Sequence, residues 1–288
     1  MSEQARCLGW RQEDESLLAD KLAAIMQPLC SAPLRSDQIP ADFIPSFLRC
    51  EDQGATNTCA AHAVTTAGEV CYHIASRGDD TQFSRRAAYA WSKEIDGSSP
   101  NHDAGATISA VALVSQRTGF CPESVVPWYP AGRFVRGVPN EMAAKQEASK
   151  FRIGSLGDIR TYDQLDQWLT SGHGAVVCGI EWTTGWDDLQ GAEYLDHLPQ
   201  GEVRGGHALA WCGWTTRAGE RWPILVNSHG QRWGRNGQLA VNPRVVDTLA
   251  RNSQFGFKGI SDLSTPVVRE WDWLTIQADS TPSTQGMW

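Results

Sequence analysis

No two cysteines of this chain are spaced as Cys-x-x-Cys, although eight are present. Zinc-ribbon and thioredoxin-type motifs are therefore absent, and neither metal nor cofactor is expected. No apolar run approaches the ~18 residues that cross a bilayer, so no membrane partner is expected. Charge is sparse as well. Charged residues are 20% of the chain and the net charge is −8. Nucleic-acid binding needs clustered Lys and Arg, so no nucleic-acid partner is expected. There is no repeat at a fixed period. The opening MSEQARCLGWRQEDESLL has charges throughout and no apolar stretch, unlike a secretory signal. A cytoplasmic location is expected, with export by a non-standard route left open. Oligomeric state is not legible.

What is present suits a large folded unit. The 288 residues are 41% hydrophobic and include 13 Trp, enough for a rigid core or an aromatic-lined cleft. Residues 1–45 form a leader, with a helical period over Asp14–Met26 that Pro28, Pro33 and Pro40 break. Cys59 to Ile74 is the clearest helix. Ala60, Ala63, Val64, Ala67, Val70, Cys71 and Ile74 define its apolar face, and Asn57 or Thr58 can cap it. Ser84–Ser92, Thr107–Arg117 and Tyr162–Thr170 also read as helices. After Gly174 the pattern changes to short apolar runs: Ala175–Ile180, His207–Cys212, Trp222–Val226 and Gln238–Val241. Helices come first and strands later, which predicts an α+β protein with two lobes. The helical lobe is expected over about 46–135 and the β lobe over about 136–279, with a polar tail at 280–288.

Cys59 stands where a turn meets the best helix. A helix N-terminus offers free N–H groups and partial positive charge, and both favour a thiolate. The bland alternative is a buried structural thiol. His207 opens an apolar strand behind Gly205-Gly206, and Asn227 follows the strand that ends at Val226. An Asn carbonyl can orient an imidazole, and an imidazole can serve as base to a thiol. Each alone is an ordinary strand-end residue. His62 and His73 fall on the polar side of the Cys59 helix and read as solvated.

These segments resemble the papain-like cysteine peptidases. Gln53-Gly-Ala-Thr-Asn-Thr-Cys59-Ala-Ala is similar to the family's Gln-Gly-x-Cys-Gly-Ser-Cys-Trp-Ala, with the same spacing from Gln to Cys. Gly206-His207-Ala-Leu-Ala-Trp-Cys-Gly-Trp214 resembles the histidine strand. Asn227-Ser-His-Gly-Gln-Arg-Trp-Gly-Arg-Asn-Gly237 resembles the Asn-Ser-Trp-Gly block. The three occur in the family's order and span about residues 40–265, as in a bacterial or phage-like member. The resemblance implies a two-lobed papain-like fold, with an antiparallel, barrel-like β lobe and the active site between the lobes. It implies Cys59 as nucleophile, His207 as base, Asn227 as its orienter, and Gln53 with the Cys59 N–H as oxyanion donors. Gly105, Gly206 and His229 take substrate-side positions, and the implied partner is an extended peptide cut by an endopeptidase.

The departures are specific. Ala60 and His229 stand where the family has Trp, and Thr56 replaces a disulfide cysteine. His229 is expected to leave the Asn–His bond wetter, unless a neighbour such as Trp233 covers it. The short leader before the Gln53 segment is expected to pack against the core or partly occlude it, and neither a long inhibitory prodomain nor latency by prodomain removal is expected. The same nucleophilic steps would serve an amidase, a deamidase or an acyltransferase. The same fold could also act as a non-catalytic binding module.

Overall fold

The structure, a computed structural model, describes residues 8–12, 39–99, 101–129, 134–252 and 256–261. The expected leader helix Asp14–Met26 and the tail 280–288 lie outside the described residues.

Helix α1 (Cys59–Ser76) is the central element. Every residue of it except Tyr72, Ala75 and Ser76 is buried. Helices α2 (Arg85–Asp96) and α3 (Ile108–Arg117) pack on one side of it and the sheet on the other. Both begin at the caps their sequences offer: Ser84 accepts from Ala87 N–H and Thr107 from Ala110 N–H. Helix α4 (Glu141–Ala148) and strand β1 (Leu156–Asp158) lead to α5 (Tyr162–Thr170). Then come β2 (Gly174–Thr183), the short α6 (Thr184–Asp187), β3 (Tyr194–Leu195), β4 (Val203–Arg217), β5 (Glu220–Val226), β6 (Gln238–Val241), α7 (Pro243–Ala250) and β7 (Lys258–Ser261).

The strands form one sheet in the order β1-β7-β2-β4-β5-β6-β3. All neighbours are antiparallel except β3 and β6. The order is linear, with β1 and β3 at its edges, so the sheet of the expected barrel-like lobe is not closed into a full barrel. The long central strands β2 and β4 are buried on both faces, which explains their near-continuous apolar runs.

Burial of α1 on both sides corrects two expectations. His62 is 2% exposed and His73 is 1% exposed, so neither is solvated. His73 stacks on Phe47 with centroids 3.6 Å apart, and its Nδ1 lies 2.8 Å from Asp80 Oδ1. The polar residues of a doubly covered helix must find partners inside. Glu69 does so through Arg85, whose Nη1 and Nη2 lie 2.6 and 2.8 Å from its carboxylate. Of the six cysteines among the described residues, all but Cys50 are buried.

Candidate active site

Cys59 is the first residue of α1 and is fully buried. Thr58 occupies the N-cap, but neither it nor Asn57 caps the helix with a side chain as anticipated. The Thr58 hydroxyl turns instead toward Thr56 Oγ1 at 2.7 Å and His62 Nδ1 at 3.3 Å. The helix-end N–H groups are thereby left to the thiol. N–H groups of Ala208, Gly9, Ala60 and Trp10 approach the sulfur. Burial nevertheless pushes the thiol up to about 11, and those donors only partly offset it.

Strand pairing sets the histidine and the asparagine side by side. On β4, His207 pairs with Ile180 of β2, and Ala210 pairs with Val226 of β5. One step past Val226, Asn227 reaches the face that carries His207. The result is a buried hydrogen bond, His207 Nε2 to Asn227 Oδ1, of 2.8 Å. The same Oδ1 accepts from Ser228 N–H at 2.8 Å, which fixes the amide's orientation. His207 is 0% exposed and Asn227 3%.

The bond is dry, contrary to the expectation built on His229. His229 is 3% exposed and lies against His207 with centroids 4.4 Å apart. The cover comes mainly from Trp182, whose ring meets His207 edge-on at 4.5 Å and His229 at 5.0 Å. Trp233 stands behind it, 6.2 Å from Trp182, and donates to Trp186 O. Sequence reasoning missed Trp182. Its place depends on register, because Trp182 pairs with Gly205 at the far end of the β2–β4 ladder.

Gln53 is fully buried in the turn before α1. Its Nε2 donates to Thr56 O and its Oε1 accepts from Ser228 Oγ, both at 2.7 Å. Its backbone N–H donates to Ser228 O, tying the glutamine turn to the asparagine turn. Thr56 holds the same turn by donating its hydroxyl to Gln53 O at 2.7 Å. Behind the asparagine lies a cavity of about 10 Å³, lined by Glu51, His62, Ala63, Thr66, Ala208, Val226, Asn227 and Ser228. His62 Nδ1 meets Thr58 O at 3.1 Å, so Nδ1 carries the hydrogen and Nε2 is the acceptor. Burial lowers His62 to about 4.

The leader, which the sequence leaves free to pack against the core or partly occlude it, enters this site. Trp10 pairs with Ala106 in a parallel bridge. Ala106 N–H donates to Gly9 O at 2.9 Å, Arg11 N–H to Ala106 O at 3.1 Å, and Trp10 N–H to Gly206 O at 3.3 Å. An ion pair joins Arg11 to Asp96. The extended segment thus pairs with Ala106, one residue beyond the anticipated Gly105. Gly105 lies against the same segment, since a Cβ on it would overlap the Gly9 carbonyl, while its N–H donates to Tyr89 Oη at 3.0 Å and its carbonyl accepts from Lys93. Gly206 lies against Trp10, and a Cβ there would overlap the indole. Among the described residues no group of side chains could hold a metal ion, and no helix is long and apolar enough to cross a membrane.

Known proteins share this fold. The family described as papain family cysteine protease matches residues 45–253. No curated protein matches the chain. Among solved structures, xylellain, a cysteine protease from Xylella fastidiosa, is 20% identical with a TM-score of 0.68, over 92% of this chain and 100% of that one. Procathepsin L2 from the larval midgut of Tenebrio molitor is 17% identical, TM-score 0.66, over 90% and 79%. ProCathepsin B S9 from Trypanosoma congolense is 15% identical, TM-score 0.62, over 90% and 87%.

Proposed function

The chain belongs to the papain family of cysteine proteases and is a thiol-dependent peptidase; on that footing we propose that Cys59, His207, Asn227 and Gln53 carry out its chemistry. His207 takes the Cys59 proton, and the sulfur attacks the peptide carbonyl carbon. The carbonyl oxygen becomes an oxyanion, which the Cys59 N–H and the Gln53 side-chain amide stabilise. The C–N bond breaks and His207 returns the proton to the leaving amine. Water, deprotonated by His207, then hydrolyses the thioester and frees the thiol. Asn227 holds the imidazole by its Nε2, and Trp182 with His229 keeps water from that bond.

The observation that carries this reading is the buried 2.8 Å bond between His207 and Asn227 beside a cysteine at an uncapped helix start. The substrate is an extended peptide, and the protein that cuts it is an endopeptidase. The form described is closed, because Leu8–Arg11 lies over the sulfur. The sulfur faces N–H groups of Gly9 and Trp10, while the Gly9 carbonyl is turned to Ala106. The Gly9 carbonyl is thus engaged away from the sulfur, and turnover requires the segment's displacement. The test is peptide-library cleavage by the full chain and by Cys59→Ala. The variant should fold and lose about 10⁶-fold in kcat, by analogy with serine nucleophiles. Equal cleavage by both proteins would refute the assignment.

A further inference from the structure

His62 is a buried titratable group that the catalytic steps above do not use. It lies on α1, one helical turn after Cys59. Its Nδ1 hydrogen goes to Thr58 O, so Nε2 carries a lone pair. Burial lowers its pKa to about 4, so at neutral pH the ring is neutral and that lone pair is present. Nε2 is itself buried and has no protein partner among the described residues. The catalytic amide has the complementary need. Asn227 Oδ1 accepts from His207 Nε2 and from Ser228 N–H, which leaves Nδ2 as the donor end. Nδ2 too is buried without a protein partner among the described residues. Buried polar atoms left unpaired are costly, and native structures pair nearly all of them. Both residues line the cavity of about 10 Å³ behind the asparagine. A space of that size holds one water when roughly two to four polar groups face it. Glu51 belongs to the same lining, with its Oε1 held by Arg49 Nε at 2.7 Å.

Resting on the role of Asn227 given above, we propose that His62 is a positioning residue of this site: through one enclosed water it holds the Asn227 amide in the orientation that serves His207. The water accepts from Asn227 Nδ2–H and donates one hydrogen to His62 Nε2. Its second hydrogen goes to the Glu51 carboxylate. The amide is then held at both ends, its oxygen by Ser228 N–H and its nitrogen by the water. Without an acceptor at position 62 the nitrogen end loses its anchor. The amide can then turn about its last bond, and the imidazole loses the fixed partner that sets its tautomer. His62 acts on the reaction only through Asn227.

The test is a double-mutant cycle in the full chain: wild type, His62→Phe, Asn227→Ala and the double variant, with His62→Gln as the conservative change. Glutamine can donate to Thr58 O and still offer an oxygen to the water. Both kcat and KM are measured on a peptide that the wild type cuts, and urea unfolding at pH 7.5 checks that each variant is folded. His62→Phe should lower kcat about 5- to 10-fold with KM unchanged. His62→Gln should recover most of that loss. In the Asn227→Ala background, His62→Phe should change kcat by less than about 2-fold, because the group it acts through is gone. If His62→Phe does not fold, His62→Leu takes its place in the cycle. A crystal structure of the wild type should show one water within hydrogen-bond distance of both nitrogens. Equal losses in the two backgrounds, an unchanged kcat in His62→Phe, a glutamine no better than phenylalanine, or a dry cavity overturns the positioning role alone. A kcat untouched by Asn227→Ala overturns the assignment of Asn227, and this inference with it.

Discussion

Acid should unfold this protein through one imidazole in particular. His62 is fully enclosed in α1, and burial lowers it from the usual 6.5 to about 4. Glu51 and Asp52 oppose that shift, Arg85 adds to it, and the Thr58 carbonyl takes its Nδ1 hydrogen. The edge of Trp128 closes the remaining side at 4.7 Å. The folded protein therefore holds His62 neutral down to about pH 4, whereas the unfolded chain protonates it below about 6.5. The stability linked to this group is complete above pH 6.5 and is lost as pH falls toward 4. At 1.36 kcal/mol per pH unit the full loss is about 3 kcal/mol, most of it spent by pH 4.5. His62→Phe keeps the ring volume and removes the titration. The Thr58 carbonyl stays bonded in the variant, because it also accepts from the His62 backbone N–H at 3.0 Å. Urea unfolding at pH 7.5 and pH 4.5 should show the variant losing about 2–3 kcal/mol less than wild type over that interval. Parallel losses in the two proteins would mean that His62 does not titrate as its burial requires.

Three further outcomes are expected. Deleting residues 1–12 uncovers Cys59 and relieves the burial that holds its thiol near 11. Its alkylation rate at pH 7 should rise about 100-fold or more, and an unchanged rate would refute shielding by the leader. Asp96→Asn removes the partner of the half-exposed Arg11, so alkylation of Cys59 should quicken by about 2- to 5-fold, an effect that high salt should reproduce in wild type. Arg85→Met strips Glu69 and Glu51 of a fully buried counter-ion and should cost about 3–5 kcal/mol in urea unfolding. A loss below about 1 kcal/mol would show that the cluster is not held by charge.

The catalytic candidates were legible because each sits in a contiguous motif. Cys59 has its spacing to Gln53 and a strong helical period after it, and His207 and Asn227 each mark the end of an apolar run. Helices with clear caps, such as those after Ser84 and Thr107, were legible within a residue at the start. Other parts depend on contacts that no local pattern encodes. β1, β3 and β7 are two to four residues long and owe their form to their partners. α7 carried a readable signal that was overlooked, an Asn242 cap with Pro243 at its first turn. The polar stripe of α1 suggested solvent, yet that helix is covered by both the sheet and the neighbouring helices, so His62 and His73 are enclosed. Trp182 and Trp10 reach the site through strand register and through a segment more than forty residues upstream of Cys59.

A tethered occupant does not diffuse away. Leu8–Arg11 remains covalently joined to the fold it covers, so a vacated cleft always has a rival within reach. For a tethered segment the effective concentration is on the order of millimolar. Incoming peptides must outcompete that rival at every turnover, and the measured KM of the full chain reports the contest rather than the affinity of the bare groove. Weak or dilute substrates are ignored in this way, and the threshold is set by how firmly a single indole seats against Gly206.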